Sequence, residues 1–502
     1  MRDSEIVLNP NPLVKYLKKP SSEFTKSDIM KYIHDKDIKM INLRYVADDG
    51  KLKTLNFVIL SEEHLEFLFS TGERVDGSSL FSFIEAGSSD LYVIPRFKTA
   101  FVNPFEEVPS IDILCSFFTS EGKPLESSPE NILKKAAQSF KKNTGLDFKA
   151  MGELEYYVQS ERIDMYQGID QKGYHSSVPF SNWEHFRKDA MLLIAKCGGK
   201  IKYGHSEVGN FVTETESYEQ QEIEFLPVSP EDAVDQLVIA KWIIRMLGRE
   251  YGVNISFAPK ISVGKAGSGL HIHMLAMKDG KNVLVENKKL SNTAKKMIAG
   301  VLDMATSLTA FGNTIPTSYL RLVPHQEAPT YVCWGDRNRS ALVRVPLGWL
   351  SGTENIIKDA NPLEESDNRD FSVKQTFEFR VGDGSANLYY LVAGLIVAAE
   401  HGLNMDNSLE KAEELYVPID IFDKSFKTRL DELDQLPISC WESAICLDKK
   451  RKVFENNSVF PHGTVDSVIN GLKSFKDKDL SKNVFGDNEA ISKLVNKYLH
   501  WM

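Results

Sequence analysis

Apolar and polar positions along the chain switch between short runs of period two and longer runs at helical spacing, and this rhythm predicts the elements. The first 25 residues, rich in Pro, Lys and Ser, read as an N-terminal arm (1–25). Two strand-like runs follow, KMINLRYV and KLKTLNFVIL, joined through Asp48-Asp49-Gly50, which predicts a hairpin. DLYVIPRF and IDILCSFF add two strands, and the turn-rich SEGKPLESSPE closes a small α+β domain over 26–127. Ser128-Pro129-Glu130 then starts a helix, because Ser suits the cap and Pro the first helical position. Over 128–502 strands alternate with amphipathic helices, predicted near Pro129–Lys142, Asp189–Cys197 and Pro230–Arg249. The longest apolar run, Leu388 to Ala399, is too short to span a bilayer and ends at Glu400, so it predicts a buried helix.

Four strands of the second region repeat one pattern. Glu153 and Glu155 in GELEYYV, Glu222 and Glu224 in QQEIEF, His271 and His273 in GLHIHML, and Glu378 and Arg380 in FEFRV each lie two apart. Side chains two apart share a strand face, so each strand has one apolar face and one ionisable face. Glu207 in GHSEVGN adds another carboxylate near a strand end. A solvent-facing sheet would explain any one of these, since charged outer faces are common. None of the four contains Lys, however, and converging carboxylates need a cation to offset their repulsion. Oxygen-rich ligands with one or two imidazoles suit Mg²⁺ or Mn²⁺ better than Zn²⁺. So many carboxylates point to two or more such ions, as in sites that clamp a transferring phosphoryl group.

Anion binders accompany them. Arg321, Arg337, Arg339 and Arg344 crowd into one short segment, and guanidinium groups recognise phosphate or carboxylate bidentately. No P-loop is present, because none of the Gly-Lys pairs precedes Ser or Thr. The loop GKAGSG (264–269), just before the His271 strand, reads as a tight turn that lets a substrate approach backbone.

Composition narrows the classes further. A net charge of -10 disfavours nucleic acid and an anionic membrane surface as partners. Five scattered cysteines without a C-x-x-C pair fit a reducing compartment and argue against a disulfide scaffold or a thiolate zinc site. The start lacks a basic-then-apolar signal pattern, so a cytoplasmic enzyme is expected.

Taken in order, VDGSS (75–79), GELEYYV, HSEVGN, QQEIEF, APKISVGKAGSGLHIHM, RLVPHQEAP, NRSALVRVP and FEFRVGDGSANLYYLVAG resemble the glutamine synthetase family, in its bacterial type I branch. The resemblance implies an α+β protein: an N-terminal β-grasp domain and a catalytic domain with a curved antiparallel sheet flanked by helices. It implies ATP-dependent ligation of ammonia to L-glutamate through γ-glutamyl phosphate, in a dodecamer whose sites are shared between subunits. By motif position, Glu153, His271 and Glu378 would hold one metal, and Glu155, Glu207 and Glu222 the other. Arg321, Arg380 and the backbone at Gly267 would grip glutamate. Arg339 and Arg344 would take phosphates, and His273 would line the ATP site. Glu327 would close the site and accept a proton from ammonium. Asp76 and Ser79 would reach the ammonium pocket from a neighbouring subunit and meet Tyr174 there.

The sequence also departs from the family. NFVTETESYE lengthens the interval after Glu207, leaving Glu222, Glu224 and Glu216 as alternatives for one ligand. Ala266, Lys202, Val373 and Leu388 stand where the family usually has Asn, Glu, Lys and Pro. Two other functions remain open in the sequence: γ-glutamyl ligation to another amine such as a polyamine, and a non-catalytic structural role.

Overall fold

The predicted hairpin forms: β1 (Met40–Val46) and β2 (Leu52–Val58) pair antiparallel across the Asp-Asp-Gly turn. The computed structural model describes residues 3–84, 89–323, 328–348, 355–366, 369–418, 421, 430, 432–484 and 486–501. The first sheet also contains β3 (Glu73–Asp76), β4 (Asp90–Pro95), β5 (Phe101–Val102) and β6 (Ser110–Phe118), in the order β2-β1-β6-β4-β3 with β5 on β6. Its apolar face buries Ile41, Leu43, Val93, Ile113 and Phe117 against helices Lys26–Asp35 and Glu62–Thr71. Within residues 1–25, Asn11 caps a short helix, Pro12–Leu17, by accepting from Leu13 and Val14 N–H. Leu13 and Val14 are buried in this same core.

The second sheet contains β7 (Asp147–Glu161), β8 (Ile201–Val212), β9 (Glu216–Phe225), β10 (Asn254–Ser256), β11 (Leu270–Lys278) and β12 (Lys281–Asn282). A small hairpin of β13 (Val285–Glu286) and β14 (Lys289–Leu290) stands apart. β15 (Trp334–Asp336), β16 (Val343–Val345) and β17 (Phe377–Phe379) complete the large sheet. The path β15-β16-β17-β11-β7-β9-β8 is antiparallel except between β15 and β16, with β10 on β7 and β12 on β11. It curls into a half-barrel flanked by helices, as the α+β expectation has it.

One face of that sheet is apolar. Leu154, Tyr156, Ile223, Phe225, Leu270, Ile272, Phe377 and Phe379 are all buried in one core. They join side chains of helices Pro129–Thr144 and Pro230–Glu250, near two of the predicted amphipathic segments, and of Leu388–Asn404, which contains the predicted buried helix. Each such side chain contributes roughly 1.5–3 kcal/mol on burial, which fixes which face is left for polar groups. Gly152 makes room for Leu237: a Cβ on it would come within 2.8 Å of the leucine's methyl group, which would have to shift. The two domains are joined by a fork from Arg96, whose Nη1 and Nη2 donate to the Asp235 carboxylate at 2.7 and 2.9 Å. Tyr389 donates to the same carboxylate at 2.7 Å. No single helix among the described residues is long and apolar enough to cross a membrane.

Candidate active site

The polar face of the large sheet carries three adjacent rungs of ionisable side chains. On the first, Arg344 of β16 is opposite Glu378 of β17, which is opposite His273 of β11. On the second, His271 faces Glu153 of β7, then Glu224 of β9, then Tyr203 of β8. On the third, Glu155 faces Glu222, which faces His205. Antiparallel partners share a face and the rungs lie two residues apart, so the period-two spacing read in four separate segments converges on one surface.

That surface lines a cavity of about 490 Å³, whose walls include Glu153, Glu155, Glu207, Glu222, Glu378, His271, His273, Tyr174, Gly267, Arg321, Arg339, Arg344 and Arg380. Asp76 and Ser79 do not line it. They lie on the first domain, where Ser79 donates to Asp76 at 2.7 Å. Glu327 lies outside the described residues. A larger cavity, about 840 Å³, is walled by Phe311, Tyr390, Phe475 and Trp501 among others, and among the described residues no such set of converging acids and imidazoles lines it.

Toward β17 the acids are compensated. His273 Nε2 lies 2.7 Å from Glu153 and 2.8 Å from Glu378, while its Nδ1 meets Thr376 at 2.8 Å. Burial disfavours the imidazolium, but the two carboxylates outweigh it and raise His273 to about 10. Burial and Glu153 push Glu378 up; His273 and Arg380 prevail and hold it at about 2. Arg344 donates to Glu378 at 3.1 Å and Arg380 Nε lies 3.2 Å from it. His271 Nδ1 takes the other oxygen of Glu153 at 2.7 Å.

Toward β8 the balance is different. Among the described residues Glu222 has a single ion-pair partner, His205 at 3.3 Å. Burial, then Glu153, Glu155, Glu207 and Glu224, raise Glu222 well above the ordinary carboxylate range. Burial also lowers His205, so imidazolium does little to neutralise this half. Glu155 is anchored by Gly269 N–H at 2.7 Å and by Gln220 at 3.0 Å.

Among the described residues, two groups of three side chains bring possible cation ligands within 4.8 Å of one another: Glu153, Glu224 and His273, and His205, Glu207 and Glu222. An oxygen-rich set whose buried Glu222 resists ionisation fits hard divalent cations, which would offset the repulsion. The three alternatives after Glu207 are separated by position. Glu222 joins Glu207, Glu224 joins Glu153, and Glu216 is held by Gln159 and Tyr218 away from the cavity.

His205 went unrecognised in the sequence, although it stands two before Glu207 and the period-two rule applied to GHSEVGN reaches it. Tyr203 and Gln220 were also missed, having no charge to flag them. Opposite the sheet, the 259–269 loop is fixed. Tyr157 donates to Ala266 O at 2.8 Å, and Ala266 N–H donates to Gln171 at 2.7 Å. A Cβ at Gly269 would meet Arg321 Nη2 at 2.4 Å, so glycine there allows the guanidinium to reach the wall. Arg321 is held by Val381 O at 2.8 Å and Arg380 O at 3.2 Å. Arg339 lies over Tyr174 at 5.9 Å, and Tyr174 stacks on His175 at 4.2 Å.

Residues 126–482 match the family model described as "Glutamine synthetase, catalytic domain", and residues 37–120 the one described as "Glutamine synthetase, beta-Grasp domain". The chain belongs to the glutamine synthetase family. The glutamine synthetase of Clostridium saccharobutylicum is 29% identical over 432 residues, covering 84% of this chain and 89% of that relative. That of Methanococcus maripaludis is 26% identical over 475 residues, covering 90% and 98%. The solved Plasmodium falciparum glutamine synthetase superposes with a TM-score of 0.72 at 19% identity, over 93% of this chain and 98% of that one. At that identity the likeness speaks for the fold. The glutamine synthetase fold and family expected from the ordered motifs are both borne out.

Proposed function

We propose that the protein is a cytoplasmic ligase that joins ammonia to the γ-carboxylate of L-glutamate at the expense of ATP, through γ-glutamyl phosphate. The observation that carries this is one cavity to which the three-rung ladder brings five carboxylates and Arg344, and whose wall adds Glu207, Arg321, Arg339 and Arg380. A carboxylate is a poor electrophile, so phosphorylation first supplies a leaving group. Two or more Mg²⁺ or Mn²⁺ ions, when bound, offset phosphate and carboxylate charge during that transfer. Glu153, His271 and Glu378 would hold one, and Glu155, Glu207 and Glu222 the other.

The chain's own residues do the rest. Arg321 and Arg380, pinned by backbone carbonyls, present a rigid cationic wall to glutamate beside Gly267. Arg344 and Arg339 would take the phosphates, and His273, across Glu378 from Arg344, would line the ATP site. Tyr174 at the mouth, Asp76 and Ser79 from a neighbouring subunit, and Glu327 form the ammonium pocket, where a carboxylate takes the proton that ammonium must lose. The domains run 26–127 and 128–502 after the arm, and the assembly is a dodecamer.

Glutamate labelled with ¹⁸O in its γ-carboxylate tests the pathway. Phosphorylation at carboxylate oxygen followed by displacement leaves one ¹⁸O in each phosphate released with ADP. Unlabelled phosphate would rule out γ-glutamyl phosphate.

A further inference from the structure

Consecutive residues of a strand point to opposite faces, yet Lys202 and Tyr203 both reach Glu224. The register of β8 on β9 explains this. Ile201 is opposite Phe225 and Tyr203 is opposite Glu224, so Lys202 is an extra residue in the ladder. A bulge of this kind bends the strand and re-aims a side chain. Here it brings Lys202 Nζ to Glu224 Oε2, and Tyr203 Oη to Oε1 at 2.9 Å. Oε1 of Glu224 thereby accepts a hydrogen bond, and Oε2 is paired with an ammonium charge. The same carboxylate lies within 4.8 Å of ligand atoms on Glu153 and His273, on the face and at the spacing of a metal ligand.

We propose that the Lys202–Tyr203 bulge is a charge clamp: it withholds Glu224 from the metal position beside Glu153 and His273 and so limits how tightly that position holds a divalent cation. This rests on the cavity being a metal centre. The number of charged oxygen ligands is what tunes divalent affinity, and a freed Glu224 would add one. A site that binds and releases a nucleotide with its metal on every turnover is served by moderated affinity. The Lys202 side chain is 40% exposed, which screens the pair and sets the expected effect at modest size.

The test is titration of the full chain with Mn²⁺ alone, followed by calorimetry, for the parent, Lys202→Met, Lys202→Met/Glu224→Gln and the control Lys374→Met. Methionine keeps an apolar stem of similar length. The clamp predicts Mn²⁺ binding about ten-fold tighter in Lys202→Met, a return to within two- to three-fold of the parent in the double variant, and less than two-fold change in Lys374→Met, whose lysine lines the same cavity. Unchanged or weaker binding in Lys202→Met overturns the proposal, as does a gain of equal size in Lys374→Met. A double variant far weaker than the parent makes Glu224 an ordinary ligand and also overturns it. A shift in melting temperature alone, with Mn²⁺ affinity unmoved, reduces the bulge to a folding element. A parent that binds no Mn²⁺ fails differently: it removes the metal-centre reading and the clamp with it.

Discussion

The two halves of the cavity are built from the same residue types on the same sheet, yet they solve their charge problem differently. Beside β17, Glu153 and Glu378 are joined by His273 and flanked by Arg344 and Arg380, so both carboxylates are held well below their ordinary range. Beside β8, Glu222 is surrounded by acids and by a His205 that burial disfavours as a cation, and it is pushed the other way. One half is preassembled by internal cations; in the other, Glu222 has none among the described residues to offset its neighbours. The placement of basic side chains, and not the number of carboxylates, separates them.

The largest expected effect comes from unbalancing the compensated half. Glu378→Gln leaves His273, Arg344 and Arg380 without their shared partner. ADP release in a coupled assay should fall at least about 10³-fold. Breaking a buried charge network by removing one member also costs roughly 3 kcal/mol, read as a lower denaturation midpoint. An active, fully stable variant would make the His273 bridge incidental.

Asp76→Ala probes where the ammonium pocket is completed. Asp76 is exposed on β3 and absent from the cavity wall of its own chain. Its loss should lower kcat/KM for ammonium by about 10²-fold. Co-assembled with Glu378→Gln, it should regain part of the activity, because some sites then combine an intact wall with an intact neighbour. A mixture as inactive as either parent would place the whole pocket within one chain.

A smaller effect sharpens the contrast from the other half. Glu222→Gln removes the acid that its neighbours keep protonated. A carboxyl raised in the folded state contributes stability that is full below its unfolded value, about 4.3, and is lost as pH rises through the folded one. Chelator-treated parent protein should therefore lose stability relative to Glu222→Gln from about pH 4.3 upward, by at most about 1.4 kcal/mol per pH unit. Thermal melting at a series of pH values measures this. Added Mn²⁺ should stabilise the parent more than the variant. A parent-minus-variant difference that rises with pH would reverse the assignment.

Much of this was legible in the chain because strand alternation is local. Glu153 with Glu155, and His271 with His273, announce a shared face within seven residues, and Leu388–Ala399 announces a buried helix by its unbroken apolar run. The strand order that brings these faces together is set by pairings between residues as far apart as Asp147 and Met277, and no window of sequence contains it. That is why Glu222 and Glu224 could not be separated: both lie on the same face, and only their pairings with β7 and β8 distinguish them. The slipped register of β8 explains Lys202, which appears in the sequence as a plain departure and in the fold as the partner of Glu224. Leu13 and Val14 gave no strong signal in a Pro- and Lys-rich stretch, since one six-residue helix is too short to show a period.

The most direct test is ADP release by the full chain with Mg²⁺, L-glutamate and a panel of acceptors: ammonium, methylamine, ethylamine and putrescine. The ladder and the acidic pocket predict turnover that requires glutamate, ammonium and the divalent cation together, with ammonium at least ten-fold ahead of any amine in kcat/KM. Turnover driven best by an alkylamine or polyamine, or ADP release that ignores glutamate, would contradict it.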